Sequence, residues 1–268
     1  MVASFESRPL KAAIWLMTAI GLAIIYLPPL YLVAVSFNPA LQPALPALSD
    51  VSLTWYFALA KERTLISALQ ESLLVATITA LVATGLALLS ALAYMDLGKW
   101  RSRWFMFVLL PMFVPGIIQG LSLSVIFGRI GLKPFWGTVA ASHLLWALPF
   151  AFTVILTSMA AVRRSYLLAA SDLGASWWRQ LVDVTLPLIK PGLVAAFIFS
   201  FLLSLNEFGR AFYLVGRQNT LPLAMFGKMN SGASPTIYAL SGSIFLASIL
   251  AVSFVLLAAR ANNRKLRR

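Results

Sequence analysis

The sequence has no cysteine and a single histidine, His143, among its 268 residues. The absence of cysteine excludes disulfide bonds, thiolate-ligated metals and thiol chemistry, and one histidine is too few for a typical transition-metal site. No G-x-x-x-x-G-K-[ST] phosphate-binding loop occurs either, so we do not expect the chain to bind ATP. Neither a metal nor another cofactor is therefore expected on this chain.

Charged residues are also scarce, at 11% of the chain, whereas hydrophobic residues make up 60% and the mean hydropathy is +0.88. A soluble domain carries roughly a quarter charged residues, so this composition indicates an integral membrane protein. The net charge of +13 is spread in small groups between apolar runs. Such a distribution is typical of membrane topology signals and does not predict binding to nucleic acid.

Six apolar runs are long enough to cross the hydrocarbon core of a bilayer, which takes about 20 residues as a helix. Backbone groups in lipid must be hydrogen-bonded internally, and these runs are too long for barrel strands, so we predict an all-α membrane protein. The predicted spans are 12–36, 69–95, 104–128, 137–160, 191–215 and 237–260. The first run lacks a convincing signal-peptide cleavage site and is predicted to remain as the first span of a single domain, 1–268.

The basic residues of the loops predict the orientation, since lysine and arginine are enriched on the cytoplasmic side of a membrane. The larger set belongs to the termini and to the loops after the second and fourth spans: Arg8, Lys11, Lys99, Arg101, Arg103, Arg163, Arg164, Arg179, Lys190, Arg260, Arg264, Lys265, Arg267 and Arg268. The smaller set contains Lys61, Arg63, Arg129, Lys133, Arg210, Arg217 and Lys228. We therefore predict that both termini and the segment 161–190 are cytoplasmic. Between the first two spans, Trp55 and Tyr56 predict a short helix at the membrane surface, where these aromatic residues are enriched.

The segment 161–190 contains a pattern of small residues followed by a Leu-Pro pair. It reads Leu168-Ala169-Ala170-x-Asp172-x-Gly174-Ala175, and Leu186-Pro187 follows further on. The pattern resembles the EAA loop of the membrane subunits of ABC importers, the cytoplasmic element that docks into the ATPase. The family usually has glutamate where this chain has Leu168. The coupling residues implied by the resemblance are Leu168, Ala169, Ala170, Asp172, Gly174, Ala175, Leu186 and Pro187.

Local residue preferences predict two short helices in this coupling loop, 161–190. Gly174 is expected to adopt the left-handed conformation that ends a helix, and Ser176 is expected to cap the next one. Leu186 precedes a proline and is expected to mark a turn, while Pro191 suits the first position of the fifth span. An amphipathic helix on the membrane surface, anchored by its tryptophans, is the alternative interpretation.

Further segments resemble the spermidine/putrescine-type permeases in particular. These segments are 200–208, 220–223 and 232–241, together with the prolines of the third and fourth spans. Iron, thiamine and phosphonate permeases share much of the same pattern. The resemblance covers most of the chain and implies a permease of a type I ABC importer, with a polyamine or a similar small solute as its substrate.

Polar residues inside the predicted spans are candidates for the solute path. Glu207 falls in the fifth predicted span, where a buried charge costs several kcal/mol unless it is compensated. Glu207 and its neighbour Asn206 line a solute path, or else Glu207 forms a structural ion pair with Arg210, three residues further on. A third interpretation places Glu207 in water at the outer end of the span; all three stay open. His143 is the third candidate, although a lone histidine more often hydrogen-bonds a neighbouring helix, as Gln119 would.

The resemblance implies a transport subunit that is not itself an enzyme, located in the inner membrane of a bacterium as a multi-pass protein. Its implied partners are an ABC ATPase dimer that holds ATP and Mg, a second permease subunit (a paralogue or a copy of this chain) and a periplasmic solute-binding protein. An ion-gradient-driven secondary transporter is the alternative, although no internal repeat or discontinuous helix typical of such carriers is evident in the sequence. An intramembrane protease is not supported, because the sequence lacks G-x-S-x-G, a second histidine and a pair of intramembrane aspartates.

Overall fold

A computed structural model describes residues 8–232 and 234–265 of the chain. Every regular element within these residues is helical, which confirms the predicted all-α class. The α-helices are α1 (Arg8–Val35), α2 (Thr54–Lys61), α3 (Arg63–Asp96), α4 (Arg101–Leu109), α5 (Gly116–Arg129), α6 (Trp136–Ala160), α7 (Arg164–Asp172), α8 (Trp177–Arg179), α9 (Leu186–Leu205), α10 (Leu221–Asn230) and α11 (Pro235–Lys265). Arg267 and Arg268, which contributed to the predicted orientation, and Ala233 lie outside the described residues.

Four stretches of the described residues are long and apolar enough to cross a membrane: Pro9–Val35, Arg63–Asp96, Trp136–Ala160 and Trp177–Leu205. A fifth span results if Gly98–Phe113 and Gly116–Arg129 count as one despite the bend of 95° between them. The last predicted span, 237–260, falls within α11 (Pro235–Lys265), and it is not among these four stretches. The helices therefore supply four or five span candidates.

The third predicted span, 104–128, is not a straight helix. α4 continues as a short 3₁₀ helix over Leu110–Phe113, and Val114 then turns to an extended conformation with φ −94° and ψ 128°. The cause is Pro115, since a proline disfavours the helical conformation of the residue before it. Pro115 itself is extended, with ψ 133°, and α5 begins immediately after it.

The fifth predicted span, 191–215, is wrong at its C-terminal end. The helix ends at Leu205, and Asn206 follows as its C-cap with φ −97° and ψ 2°. The next residues form a turn and a short 3₁₀ helix over Ala211–Tyr213. Glu207 therefore follows the helix and does not lie inside it.

The same prediction is wrong at the N-terminal end, because the chain is helical well before residue 191. A π-helical segment, Gln180–Thr185, runs directly into α9. The turn expected at Leu186 is wrong, since this residue has φ −58° and ψ −44°. Pro187 is tolerated because the first turn of an α-helix leaves N–H groups without partners, and the π-helical segment lets a new hydrogen-bond register begin there. Pro191 lies inside α9 and does not start it.

Residues Thr64–Phe226 form one compact unit. Its centre is the contact between α6 and α9, where many of the buried residues are alanines that allow backbones to approach closely. The buried residues of this cluster include Ala83, Ala87 and Ala91 of α3, Ala147, Ala151, Phe152 and Ile155 of α6, and Ile189 and Ala196 of α9. At Gly192 a Cβ would lie only 2.5 Å from the Cβ of Ser158, so the two helices leave no room for a side chain there.

The other unit comprises the described parts of 1–63 and 227–268. Here α2 is the short helix expected around Trp55 and Tyr56. The Tyr56 hydroxyl lies 2.7 Å from Oγ of Ser36, at the end of α1, and Trp55 Nε1 donates to the Asn38 carbonyl at 2.8 Å. A Cβ at Gly242 of α11 would lie 2.7 Å from the Tyr56 hydroxyl, so this glycine makes room for the tyrosine. These contacts join α2 to both α1 and α11.

We expect Gly192→Val to destabilise the contact between α6 and α9. The new side chain must displace Ser158, and overpacking of this kind costs about 1–3 kcal/mol. Thermal melting of the detergent-purified chain, followed by tryptophan fluorescence, measures the loss. Gly85→Val is the matched control, because Gly85 lies in α3 and a Cβ at this position would have no other atom within 4 Å. Adding Ser158→Gly to Gly192→Val should restore part of the loss; equal melting of the two valine variants would contradict the packing argument.

Candidate functional site

The first half of the coupling loop is a short helix that ends at a left-handed glycine. Leu168, Ala169, Ala170 and Asp172 lie on α7, and Gly174 follows with φ +79°. The Gly174 N–H donates to the Ser171 carbonyl at 2.8 Å and the Ala175 N–H donates to the Ala170 carbonyl at 2.9 Å. This is the Schellman pattern, which satisfies the last carbonyls of a helix. The conformation expected for Gly174 is confirmed.

The second half of the coupling loop leads from a capping serine into α9. Ser176 Oγ accepts from the Arg179 N–H at 3.5 Å, and Gln180 Nε2 donates to the Ala175 carbonyl at 3.0 Å. Thr185 Oγ1 donates to the Gln180 carbonyl at 3.2 Å, across the π-helical segment. Because Leu186 and Pro187 are the first residues of α9, this half is continuous with a span candidate.

The surface of the coupling loop is apolar and exposed. Leu173 is 89% exposed, Trp177 62% and Trp178 64%, and Leu168 also faces outward. Ala169 and Asp172 are exposed beside them. Large apolar side chains in a polar loop are typical of a surface that another protein or the membrane interface covers.

A cavity of about 240 Å³ separates the coupling loop from the ends of the span candidates. Its walls come from α3, α6, α7 and the π-helical segment. The residues that line it are Leu92, Met95, Asp96, Met159, Val162, Leu167, Trp177, Gln180, Leu181 and Thr185. The side chains of the coupling loop therefore leave a space between themselves and the ends of α3 and α6.

A second group of candidate residues is centred on Arg210, in the turn after α9. Arg210 is 5% exposed. Its Nη1 donates to Oε2 of Glu207 at 2.8 Å, and its backbone N–H donates to Oε1 of the same carboxylate at 3.0 Å. Its Nε donates to Oε1 of Gln119 at 2.7 Å, and the guanidinium lies 4.7 Å from the ring centroid of Trp146. We refer to Gln119, Trp146, Glu207 and Arg210 as the arginine cluster.

The helices α4 and α5, which meet at the bend before Gly116, form one side of the arginine cluster. Gln119 Nε2 donates to the Pro111 carbonyl, on the other side of the bend. A Cβ at Gly116 would lie 2.6 Å from Nη1 of Arg210, and one at Gly120 would lie 2.5 Å from the Arg210 carbonyl oxygen. The two glycines therefore admit the arginine-bearing turn, whereas a glycine pair at this spacing usually admits a second helix.

The three predicted path residues lie in one unit, His143 on α6 and the other two at the end of α9. His143 is buried, and its Nδ1 lies 2.7 Å from Oγ of Ser204 on α9. Asn206 Nδ2 donates back to the Leu202 carbonyl at 2.9 Å. Glu207 forms the ion pair with Arg210 that was one of its interpretations. Whether these residues also line a solute path stays a prediction.

Sequence reasoning missed two members of the arginine cluster as partners of Arg210. Gln119 was expected to bond a neighbouring helix, but its partner lies 91 positions away in a turn. Trp146 follows His143 by less than one helical turn, so both face α9 and the chain that follows it. The sequence offered one signal for this contact: an amide side chain that lies next to prolines in an apolar run.

Electrostatically, the arginine cluster holds one cation and one anion with little access to water. The side chains of Arg210 and Glu207 are 6% and 11% exposed. Removing one member of a buried pair leaves the other without a counter-charge, which costs far more than loss of an exposed pair. The ion pair lies within the turn after α9, and the contacts of Arg210 with Gln119 of α5 and Trp146 of α6 hold this turn against the two helices.

Comparison with known proteins identifies relatives across most of the chain. The family model described as "Binding-protein-dependent transport system inner membrane component" matches residues 83–268. The putrescine transport system permease protein PotI of Escherichia coli (strain K12) is 29% identical over 259 residues, covering 92% of this chain and 91% of that protein. The spermidine/putrescine transport system permease protein PotC of the same strain is 31% identical over 241 residues, covering 88% and 89%.

Solved structures show the same fold. A chain of a bacterial alginate ABC transporter, crystallised in complex with an alginate pentasaccharide-bound periplasmic protein, aligns with a TM-score of 0.71. The sequence identity is 18%, and the alignment covers 93% of this chain and 92% of that chain.

We expect Arg210→Gln to destabilise the chain by about 3–5 kcal/mol, because it leaves the Glu207 carboxylate buried without a counter-charge. Glu207→Gln should have a similar effect, and the double variant should lose less than the sum of the two. Thermal melting in detergent measures all three. The control pair is Glu62 and Lys228, whose charged atoms are 3.2 Å apart but a quarter exposed; Lys228→Gln should cost about 0–1 kcal/mol. Equal losses in Arg210→Gln and Lys228→Gln would contradict the role of burial.

Proposed function

Because the chain belongs to the family of binding-protein-dependent transport system inner membrane components, we propose that residues 1–268 form one permease domain that a separate ATPase drives. It is a permease subunit of an ABC importer, and its relatives are transport proteins and not enzymes. The family match over residues 83–268 is the observation that carries this conclusion. It also decides against an ion-gradient-driven secondary transporter.

The coupling loop is the proposed contact with the ATPase. Its exposed apolar surface, its small residues and its fixed helix end at Gly174 support this role, since small residues let a partner approach closely. The continuity of the loop with α9 supplies a route by which a push on α7 reaches a span. Leu168, Ala169, Ala170, Asp172, Gly174 and Ala175 form the contact, and Leu186 and Pro187 join it to α9.

We propose six spans with both termini in the cytoplasm of a bacterium and the protein in the inner membrane. This assignment counts the bent pair of helices as the third span and α11 as the sixth. The basic residues support it, because the larger set then lies on the side of the coupling loop. The distribution of basic residues and the position of the coupling motif are independent features of the sequence, and both support this orientation.

We propose a polyamine or a similar small cation as the solute. The two relatives compared above are named for putrescine and spermidine, and both of these compounds carry positive charge at neutral pH. Asn206, Glu207 and His143 are the proposed lining residues of the solute path, although both carboxylate oxygens of Glu207 accept hydrogen bonds from Arg210 in this structure. A solute-binding protein outside the membrane would deliver the solute, as the periplasmic protein of the alginate transporter complex suggests.

The proposed cycle is alternating access. Binding of ATP and Mg closes the ATPase dimer, and the two coupling loops of the permease pair, each seated on one ATPase, move together. α9 then shifts with its loop, and the spans open to the outside to accept the solute. Hydrolysis of ATP returns the path to the inward-facing state. The second permease is either a paralogue or a copy of this chain.

The test is recovery of partners with the tagged chain from its native membranes in a gentle detergent, identified by mass spectrometry. We expect an ATPase that carries a phosphate-binding loop. Gly174→Asp should reduce its recovery about tenfold or more, as expected for one central residue of an interface, while membrane insertion is unchanged. Uptake driven by ATP should be lost with it.

Gly131→Asp is the matched control for Gly174→Asp. Gly131 has φ +74°, close to the +79° of Gly174, and neither built Cβ has an atom within 4 Å. The two substitutions therefore impose similar backbone strain, but Gly131 lies in the loop between α5 and α6. Equal ATPase recovery for both variants would contradict the docking assignment, and an ATPase-free chain from intact membranes would contradict the importer function.

We expect Leu168→Glu to be tolerated within the proposed contact, because glutamate is the usual residue at this position of the motif that the loop resembles. Leu168 is 54% exposed, and surface substitutions usually change stability by less than about 0.5 kcal/mol. ATPase recovery and thermal melting should both match the unmodified chain. Leu181→Glu is the contrast, because Leu181 is 8% exposed and a buried charge there should lower the melting temperature. Loss of the ATPase with Leu168→Glu alone would show that this contact depends on leucine.

A further inference from the structure

An open groove of about 370 Å³ lies on α4 and on the turn that precedes it, apart from the arginine cluster and the coupling loop. Its lining residues are Leu97, Trp100, Arg103, Trp104 and Phe107. Trp104 Nε1 donates to the Ser90 carbonyl of α3 at 3.1 Å, which fixes this ring as one wall. The groove is therefore apolar except for a single guanidinium.

One cation lines the groove, and a second lies in the turn beside it. The Arg103 guanidinium lies 4.5 Å from the ring centroid of Trp100, and Lys99 immediately precedes Trp100 in the chain. Within the described residues neither Lys99 nor Arg103 forms a salt bridge. Arg101 points back to α3, where it donates to the Tyr94 and Met95 carbonyls. Asp96, the one acid of this stretch, lines the separate cavity beneath the coupling loop.

The other end of the groove opens onto an exposed apolar face. Phe107 is 66% exposed, Met106 59% and Leu110 60%. In a membrane permease such a face lies against lipid chains. The groove thus joins unpaired positive charge at one end to an apolar surface at the other, with tryptophan between them, as is typical of the membrane–water interface.

We propose that this groove binds an anionic phospholipid. The phosphate of the headgroup lies between Lys99 and Arg103, and an acyl chain follows Trp104 and Phe107 along α4. A lipid that also carries an ammonium group would bring a cation to two unpaired cations, so a net negative headgroup is preferred. The proposed topology decides only the leaflet, which is the cytoplasmic one, and lipid binding itself does not depend on the importer function.

The test is native mass spectrometry of the purified full chain in mild detergent, with phosphatidylglycerol or phosphatidylcholine added. We expect phosphatidylglycerol to remain bound and phosphatidylcholine to be lost. Each of Lys99→Gln and Arg103→Gln should weaken retention of phosphatidylglycerol about fivefold, the effect expected for one cation near an anionic lipid. Both side chains are exposed, so thermal melting should be unchanged.

Arg129→Gln combined with Lys133→Gln is the matched control, since it removes two cations from the loop between α5 and α6. Retention of phosphatidylglycerol should be unaffected by it. Equal loss in the control, equal retention of phosphatidylcholine, or displacement of the lipid by inorganic phosphate at the same concentration would each overturn the proposal. The proposal would also be overturned if the Lys99→Gln and Arg103→Gln variants lost a co-purifying protein but still retained phosphatidylglycerol. None of these outcomes changes the ATPase recovery that tests the importer function.

Discussion

The buried guanidinium of Arg210 is the group whose contacts tie the turn after α9 to α5 and α6. A buried cation needs hydrogen-bond acceptors as well as a counter-charge, and this requirement brings together three parts of the chain that are far apart in sequence. The turn after α9 supplies both charges, α5 supplies Gln119, and α6 supplies the face of Trp146. Gly116 and Gly120 have no side chain because the arginine occupies that space. The bend at Pro115 presents α5 to the cluster.

Features that depend on a few adjacent residues could be predicted from the sequence. Gly174 ends a helix in the left-handed conformation because its neighbours supply the two carbonyls that the motif needs. The helical class and the existence of the long apolar segments also follow from composition and run length. The coupling motif was visible for the same reason, since its residues all lie within one short loop.

Features that depend on distant residues could not be predicted. Proline illustrates the difference: Pro115 breaks the helix that was predicted to be continuous over 104–128, whereas Pro187 and Pro191 sit within a continuous one. The residues next to Pro187 carry no sequence signal for the π-helical segment that precedes it. The hydrogen bond between Arg210 and Gln119 could not be predicted for the same reason. In each case the deciding contact belongs to tertiary packing and not to local preference.

The π-helical segment Gln180–Thr185 has a consequence for how this loop can vary in length. A π turn holds one residue more than an α turn, so deleting one residue there converts it to an α turn and need not rotate either neighbour about its own axis. Elsewhere in a helix the same change would turn every following side chain by about 100°. A one-residue deletion in this segment would therefore leave the exposed apolar surface of the coupling loop and the face of α9 that packs on α6 in their present orientations.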